Sequence, residues 1–182
     1  MKPLRHTPLL LALSAAVALA GCAAMSQEEC RTADWGEQGM RDALNGHPRS
    51  RLADIREACA EAGVVPIESL YWNGWNAGIA RFCTPENGER WGRDGRSYHN
   101  SCPPQIEAGF LNRYRAGRRV YDAEQALQQL QREQDRLQWQ LNGEKDEARR
   151  QRLRASLRDL DLRLAMARDE LNRAQWRLRT GR

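Results

Sequence analysis

The second half of the chain contains two long stretches in which apolar residues recur every three or four positions. This spacing puts them on one face of a helix, and a sustained heptad pattern is typical of a coiled coil. The positions are Val120, Ala123, Leu127, Leu130, Gln134, Leu137 and Leu141 in the first stretch, and Leu153, Leu157, Leu160, Leu164, Ala167, Leu171, Ala174 and Leu178 in the second. The pattern predicts two long helices.

The pair Asn142-Gly143 interrupts the repeat once and indicates a turn. The flanking segments, residues 104–141 and 144–180, contain 38 and 37 residues. Their matched lengths predict an antiparallel helical hairpin with arms of about 55 Å at about 1.5 Å per residue. The alternative is one continuous helix that forms a homo-oligomer by pairing with a second copy of the chain.

The predicted turn also fixes a register between the two helices. The residue numbers of two facing positions should add up to about 285, which places Phe110 near Trp176 and Tyr121 near Leu164. The leucine seam would then be buried, and the arginine-rich flanks would be exposed.

The first half of the chain predicts shorter helices. A capping box from Ser26 to Glu29 should begin a helix that continues to about Leu44. A second helix is expected from Ser50 to Gly63, with its apolar residues on one face. Two helices joined by a short connection tend to lie antiparallel.

The stretch "YWNGWNAGIARFC" predicts a third helix with one aromatic face. Its glycines are explained if another backbone approaches closely there. The face consists of Tyr71, Gly74, Trp75, Gly78, Ile79 and Phe82. Such a face either packs in a core or binds sugar, and we name Trp72, Trp75 and Trp91 as candidate binding residues.

The following segment has no helical periodicity. Asp94-Gly95 lies between Trp91 and Tyr98, which predicts a short β-hairpin. The predicted fold is therefore mainly α: a small disulfide-stapled helical domain with a β-hairpin, followed by a long antiparallel helical hairpin. The expected boundaries are a signal peptide at residues 1–21, a compact domain at 22–103 and an arm at 104–182.

The N-terminus has the pattern of a secretory signal peptide. A basic start is followed by twelve apolar residues, 9–20, which is shorter than the roughly twenty needed to span a bilayer. The sequence "LAGC" at 19–22 resembles the lipobox of bacterial lipoproteins, in which the cysteine is acylated. This resemblance implies a lipid anchor at Cys22, and Ala23 after it implies sorting to the periplasmic face of the outer membrane.

Removing Cys22 from the count leaves four cysteines, which in an oxidising compartment predict two disulfides. The antiparallel helices favour a bond between Cys30 and Cys59. The simplest second bond joins Cys83 to Cys102, although four cysteines allow three pairings.

Charge divides the chain into two parts. Residues 22–112 contain nine arginines and thirteen acidic residues, a net charge of −4, whereas residues 113–182 contain eighteen basic and eleven acidic residues, a net charge of +7. A basic arm could bind nucleic acid, but a periplasmic location argues against it. An acidic envelope protein or an anionic surface is the expected partner, and a solvated helical face is the simpler interpretation.

The sequence contains no pattern that indicates catalysis. The cysteines are widely spaced, without the close pairs of zinc sites, and neither a G-x-S-x-G motif nor a phosphate-binding loop is present. We therefore predict no metal, no cofactor and no enzymatic activity.

Three segments resemble an uncharacterised family of proteobacterial envelope lipoproteins. They are "ADWGEQGMRDALNG", "CAEAGVVPIESLYWNGWNAGIARFCTPENG" and "YHNSCPPQIEAGFLNRYRAG", within residues 25–117. The resemblance implies a lipoprotein and no catalytic residues. The favoured function is a non-enzymatic structural or partner-docking lipoprotein that uses its arm. The alternative is a peptidoglycan- or glycan-binding or glycan-acting module that uses the tryptophans.

Overall fold

The computed structural model describes residues 24–181, so the predicted signal peptide and Cys22 lie outside the described residues. Within this range the chain forms seven helices and no strand. The helices are α1 (Gln27–Thr32), α2 (Trp35–Leu44), α3 (Arg51–Ala60), α4 (Glu68–Phe82), α5 (Pro85–Arg93), α6 (Pro104–Gly143) and α7 (Glu147–Thr180). Among the described residues, no helix combines the length and apolar character needed to cross a bilayer. The prediction of a mainly α fold is confirmed.

The predicted β-hairpin is wrong, because its first strand is helix α5. Thr84 caps this helix by accepting a hydrogen bond from the Asn87 N–H, and Pro85 occupies its first turn, where proline is favoured. Gly95 is left-handed, with φ of 69°, and the Arg96 N–H donates to the Trp91 carbonyl. The Asp-Gly pair therefore ends a helix in a Schellman motif instead of turning a hairpin.

The single helix expected from Ser26 to Leu44 is divided into α1 and α2. The capping box is present at the start of α1, as predicted. Ala33 is extended, and the Asp34 side chain caps α2 by accepting a hydrogen bond from the Glu37 N–H at 3.0 Å. An aspartate at this position satisfies a free backbone donor and so favours a new helix start.

Helices α2 and α4 pack closely through glycines. A Cβ placed on Gly78 would lie 2.7 Å from the Met40 carbonyl oxygen and 2.8 Å from the Ala43 Cβ, and one on Gly74 would strike the backbone of Gly36. The expectation that another backbone approaches the glycines of α4 is confirmed. The aromatic face of α4 is a core face, with Tyr71, Trp75, Ile79 and Phe82 buried.

Helices α5 and α6 repeat the same arrangement. A Cβ on Gly88 would strike the Phe110 backbone, and one on Gly92 would lie 2.7 Å from the Arg118 nitrogen. Gly117 on α6 has the environment that Gly78 has on α4, since each faces a backbone carbonyl of the partner helix. The fold thus contains two helix pairs with backbones in contact.

The sequence contains the matching repeat. "EQGMRDALNG" at 37–46 in α2 corresponds to "ENGERWGRDG" at 86–95 in α5, 49 positions later, and "NGWNAG" at 73–78 corresponds to "NRYRAG" at 112–117, 39 positions later. The pairings agree in space, because Gly46 approaches the Phe82 ring as Gly95 approaches the Tyr121 ring. Helix α3 accounts for the different offsets, since it is inserted only in the first pair.

The first turns of α6 belong to the core of the compact region. Phe110 is fully buried, and its ring contacts those of Phe82, Tyr98 and Tyr114. Helix α6 begins at Pro104, close to the predicted boundary between domain and arm. Because α6 starts in the core of the compact region and continues into the arm, one continuous helix joins the two regions.

Helices α6 and α7 form an antiparallel pair within one chain, which excludes the single continuous helix. The predicted register is wrong. The Arg113 side chain donates to the Leu178 carbonyl, and that of Gln134 donates to the Asp161 carboxylate. These facing positions sum to 291 and 295. Asn142 and Gly143 are the last residues of α6, and the turn follows them.

The shifted register places two of the predicted pairs elsewhere. Phe110 is buried in the compact core, and the observed sums place Trp176, which is 49% exposed, opposite residues 115–119. The Tyr121 ring approaches Gly95, and Leu164 lies opposite residues 127–131. The seam of the arm near its base instead buries Val120, Ala174 and Leu178 together. The centre of the observed register lies three to five residues later than predicted, so each residue faces a position six to ten residues further along the partner helix, about two to three helical turns.

Candidate functional site

Two disulfides staple the compact region. Cys30 is bonded to Cys59 and Cys83 to Cys102, with Cα–Cα distances of 5.5 and 5.7 Å. These are the pairs that the sequence analysis favoured. The first bond joins α1 to α3, and the second fixes the loop between α5 and α6 to the end of α4.

The three candidate tryptophans do not form one exposed surface. Trp75 and Trp91 are only 1% and 9% exposed; the Trp75 ring packs against Trp72, and the Trp91 ring packs against Phe82. Trp72 alone is partly exposed, and its ring packs edge-on against Tyr71 and Trp75. The proposed binding surface is therefore corrected to a core element with a single accessible indole.

Arginine side chains cover the tryptophans from outside. The Arg49 guanidinium lies 4.3 Å from the centroid of the Trp72 ring and 5.2 Å from that of Trp75. Arg96 lies 4.2 Å from the Trp91 ring. Cation–π stacking of this kind leaves the N–H edges of the guanidinium available for another partner.

A buried polar pair joins α2 to α4. The Tyr71 hydroxyl donates to the Asp42 carboxylate at 2.9 Å, and Gln38 donates to the same carboxylate. Burial, followed by the Asp42 charge, holds the pKa of Tyr71 far above its ordinary value. The pair satisfies two buried polar groups and so serves the packing of these helices.

A second tyrosine secures the loop before α6. The Tyr98 hydroxyl donates to the Glu107 carboxylate at 2.8 Å and accepts from the Cys102 N–H at 3.0 Å. Burial raises the pKa of Tyr98 to about 12, and the Glu107 carboxylate adds to the rise. The neutral phenol is therefore the form that holds this loop at ordinary pH.

The distal end of the arm has an exposed indole beside arginines. Trp139 is 77% exposed and lines an open cleft of about 830 Å³ at the turn, together with Arg149, Arg152 and Leu153. A tryptophan this exposed is unusual in a folded protein, and exposed aromatics next to arginine recur at binding sites. We call Trp139, Arg149, Arg152 and Leu153 the tip patch.

The turn that carries the tip patch is well ordered by hydrogen bonds. The Glu144 carboxylate accepts from the N–H groups of Lys145 and Asp146, which lowers its pKa. Asp146 caps α7 by accepting from the Arg149 N–H, and the Arg150 side chain donates to the carbonyls of Leu141 and Glu144. These bonds fix the backbone of the turn beside the tip patch.

Arginines dominate α7, which contains ten of them against five acidic residues. Several form ion pairs along the arm, such as Arg150 with Glu147 and Arg163 with Glu133. Near the tip, four exposed arginines have no ion pair among the described residues. They are Arg132, Arg136, Arg152 and Arg158.

One family model matches part of the chain. Residues 34–119 match the model of a family described as protein of unknown function (DUF2799). The match covers just under half of the chain and ends at the base of the arm. No curated protein and no solved structure matches the chain. Within residues 24–181, no three histidine, cysteine or acidic side chains come together as metal ligands would.

Trp139 and Arg49 were not among the residues predicted from the sequence. Trp139 lies between Leu137 and Leu141, outside the heptad positions. A large apolar residue outside the seam is the sequence signal that could have predicted an exposed binding residue here. For Arg49 no local signal exists, because its contacts with Trp72 and Trp75 join residues more than twenty positions apart.

Proposed function

We propose that this protein is an outer-membrane lipoprotein that docks an acidic protein of the cell envelope through its helical arm. Cys22 would carry the lipid anchor, with the compact region and the arm on the periplasmic side, and no enzymatic activity is involved. The observation that carries the proposal is the tip patch: an exposed Trp139 at the end of a helical arm that projects beyond the compact core.

The geometry of the arm supports a docking role. Helix α5 ends at Arg93, and Gly95, just after it, lies against the Tyr121 ring. Residues 125–143 of α6 therefore continue past α5 for about 30 Å at about 1.5 Å per residue. In this segment α6 packs on α7, and its leucines are only half-buried. An element that adds little to the core but keeps a fixed shape is suited to reach a partner.

Charge supports an acidic partner. The arm has a net charge of +7 over residues 113–182, and Arg136 and Arg132 lie one and two turns before Trp139 on the same helix face. Unpaired guanidinium groups attract an acidic surface and accelerate encounter, and this attraction weakens with salt. Trp139 would then fill a pocket of the partner, as tryptophan often does at interface hot spots.

The glycan-binding alternative has less support. It depended on three exposed tryptophans, and Trp75 and Trp91 are buried. Their rings contact the core of the protein and so are not available to stack on sugar.

Site-specific crosslinking in cells tests the proposal. A photo-crosslinking amino acid at position 139 should give one defined protein adduct. The matched control is position 176, since Trp176 is also exposed but lies near the base of the arm; crosslinking there should give no such adduct.

Binding to the identified partner should then depend on the tip patch. Because removal of a hot-spot tryptophan costs about 2 kcal/mol or more, Trp139→Ala should weaken the Kd about thirtyfold, whereas Trp176→Ala should change it little. Identical adducts from both positions would overturn the proposal. Association of the arm with anionic lipid vesicles alone, unaffected by Trp139→Ala, would also overturn it.

A further inference from the structure

A groove on the compact region lies where three segments meet: the α2–α3 loop, the middle of α4 and the α5–α6 loop. Its volume is about 450 Å³. The residues that line it include Arg49, Ser50, Trp75, Asn76, Asn100 and Ser101. It is separate from the tip patch and lies within the segment that matches the family model.

Arg49 supplies a positioned cation at this groove. Its guanidinium is stacked over the rings of Trp72 and Trp75 and makes no ion pair or hydrogen bond with another described residue. Stacking fixes the plane of the guanidinium while its N–H edges stay free. A cation held in this way is prepared for a planar anion, which it binds through two parallel hydrogen bonds.

Ser101 supplies an unsatisfied hydroxyl. The residue is only 5% exposed, and its Oγ has no hydrogen-bond partner among the described residues. Buried hydroxyl groups are nearly always bonded, so an orphan one in the wall of a groove points to a missing partner. The loop around it is fixed by the disulfide at Cys102 and by Asn100, which adopts a left-handed φ of 52°.

The N-terminus of α3 adds a third contribution. Ser50 is the N-cap residue, and its side chain makes no capping hydrogen bond; the N–H groups of Arg51 and Ala53 donate to the carbonyls of Pro48 and Ser50, so this end contributes its helix dipole. This end of a ten-residue helix has partial positive charge and attracts anions. It lies at the same groove as Arg49 and Ser101.

We propose that this groove binds a carboxylate-bearing ligand. The carboxylate would accept hydrogen bonds from Arg49 and from the Ser101 hydroxyl, near the positive end of α3. A single guanidinium matches the single negative charge of a carboxylate better than the double charge of phosphate. The flanking prolines at 48, 103 and 104 would contact the body of the ligand, while Trp75 stays buried beneath Arg49.

Titrations of the full mature protein followed by heteronuclear NMR test this proposal. The probes are acetate, inorganic phosphate, and N-acetylmuramic acid with its uncharged counterpart N-acetylglucosamine. The indole N–H signal of Trp75 and the amide signal of Ser101 should shift in a saturable way with acetate and N-acetylmuramic acid. N-acetylglucosamine should leave them unchanged, and phosphate should bind more weakly than acetate.

Two variants and one control separate binding from structure. Arg49→Gln should weaken carboxylate binding about tenfold or more, since it removes the charged hydrogen bonds. Ser101→Ala should weaken binding about threefold or more while the protein unfolds at the same or a higher urea concentration, because the variant removes an orphan hydroxyl. Arg56→Gln removes an exposed arginine of α3 that pairs with Glu68, and it should not affect binding.

Three results would overturn the proposal. One is the absence of saturable shifts with either carboxylate up to about 50 mM, a concentration that detects millimolar affinity. Another is phosphate binding more tightly than acetate. The third is equal affinity in wild type, Arg49→Gln and Ser101→Ala, which would place the carboxylate elsewhere on the protein.

Discussion

Substitution of Gly39 by alanine tests the close packing of α2 on α4. A Cβ at this position would lie 2.9 Å from the Tyr71 carbonyl carbon and 3.0 Å from the Trp75 nitrogen, with the Tyr71 carbonyl oxygen closer still. Non-bonded carbon atoms prefer separations of about 3.5–4.0 Å. Because the opposing atoms are helix backbone, they cannot rotate away, and α2 and α4 must separate by roughly 1 Å.

The expected loss of stability follows from two opposing effects. Overpacking a well-packed contact costs about 1–3 kcal/mol, and a backbone clash places Gly39→Ala near the upper end of that range. Alanine recovers up to about 1 kcal/mol through its better helix propensity. The net loss should be about 2 kcal/mol, which in a chain of this size lowers the Tm by roughly 4–8 °C.

Gly109→Ala is the matched control. Gly109 lies within helix α6, and a Cβ there would meet only the Pro85 Cγ at 3.4 Å, an ordinary contact. Alanine should therefore stabilise the protein by about 0.5–1 kcal/mol. Thermal and urea unfolding, followed by circular dichroism with the disulfides intact, measures both changes. A Gly39→Ala variant as stable as the wild type would refute the packing argument, as would equal destabilisation by both substitutions.

Three further predictions concern anchoring, the arm and pH. Cys22→Ser should abolish recovery of the protein in the outer-membrane fraction; normal processing and retention there would refute the lipid anchor. Replacing residues 128–165 with a short glycine-containing turn should leave the disulfide-bonded compact region folded but remove salt-sensitive partner capture, and unchanged capture would refute docking by the arm. Because the folded pKa of Tyr98 is about 12, above an unfolded value of about 10, its contribution to stability is complete below pH 10 and lost as the pH rises through 12. As the pH is raised, the free energy of unfolding measured by urea titration should therefore fall less for Tyr98→Phe than for the wild type. An equal fall in both proteins would contradict this prediction.

The shorter arm depends on the observed register. Leu127 and Met166 sum to 293, within the range of 291 to 295 set by the contacts of Arg113 and Gln134. If the two helices were joined at positions whose residue numbers add up to 285, as in the predicted register, the apolar seam would be displaced by about two helical turns. Exposed positions would then point inward. The deletion should therefore follow the structure.

The sequence alone was sufficient for features that depend on neighbours along one helix. The 3.6-residue period determined the buried face of α4, and the heptad spacing determined that residues 104–180 form paired helices. The capping box at Ser26 also began a helix as predicted. Each of these signals lies within a few residues of its effect, so no knowledge of distant contacts was required.

Tertiary structure decided the features in which two distant backbones meet. Asp94-Gly95 has the composition of either a hairpin turn or a helix end, and only the packing of α5 on α6 through Gly88 and Gly92 selects the helix. The same contacts bury Trp91, which sequence reasoning placed on a surface. A local pattern indicates what a segment tends to form, but close approach of two backbones depends on both partners. That contact is what places Gly88, Gly92 and Trp91 in the core.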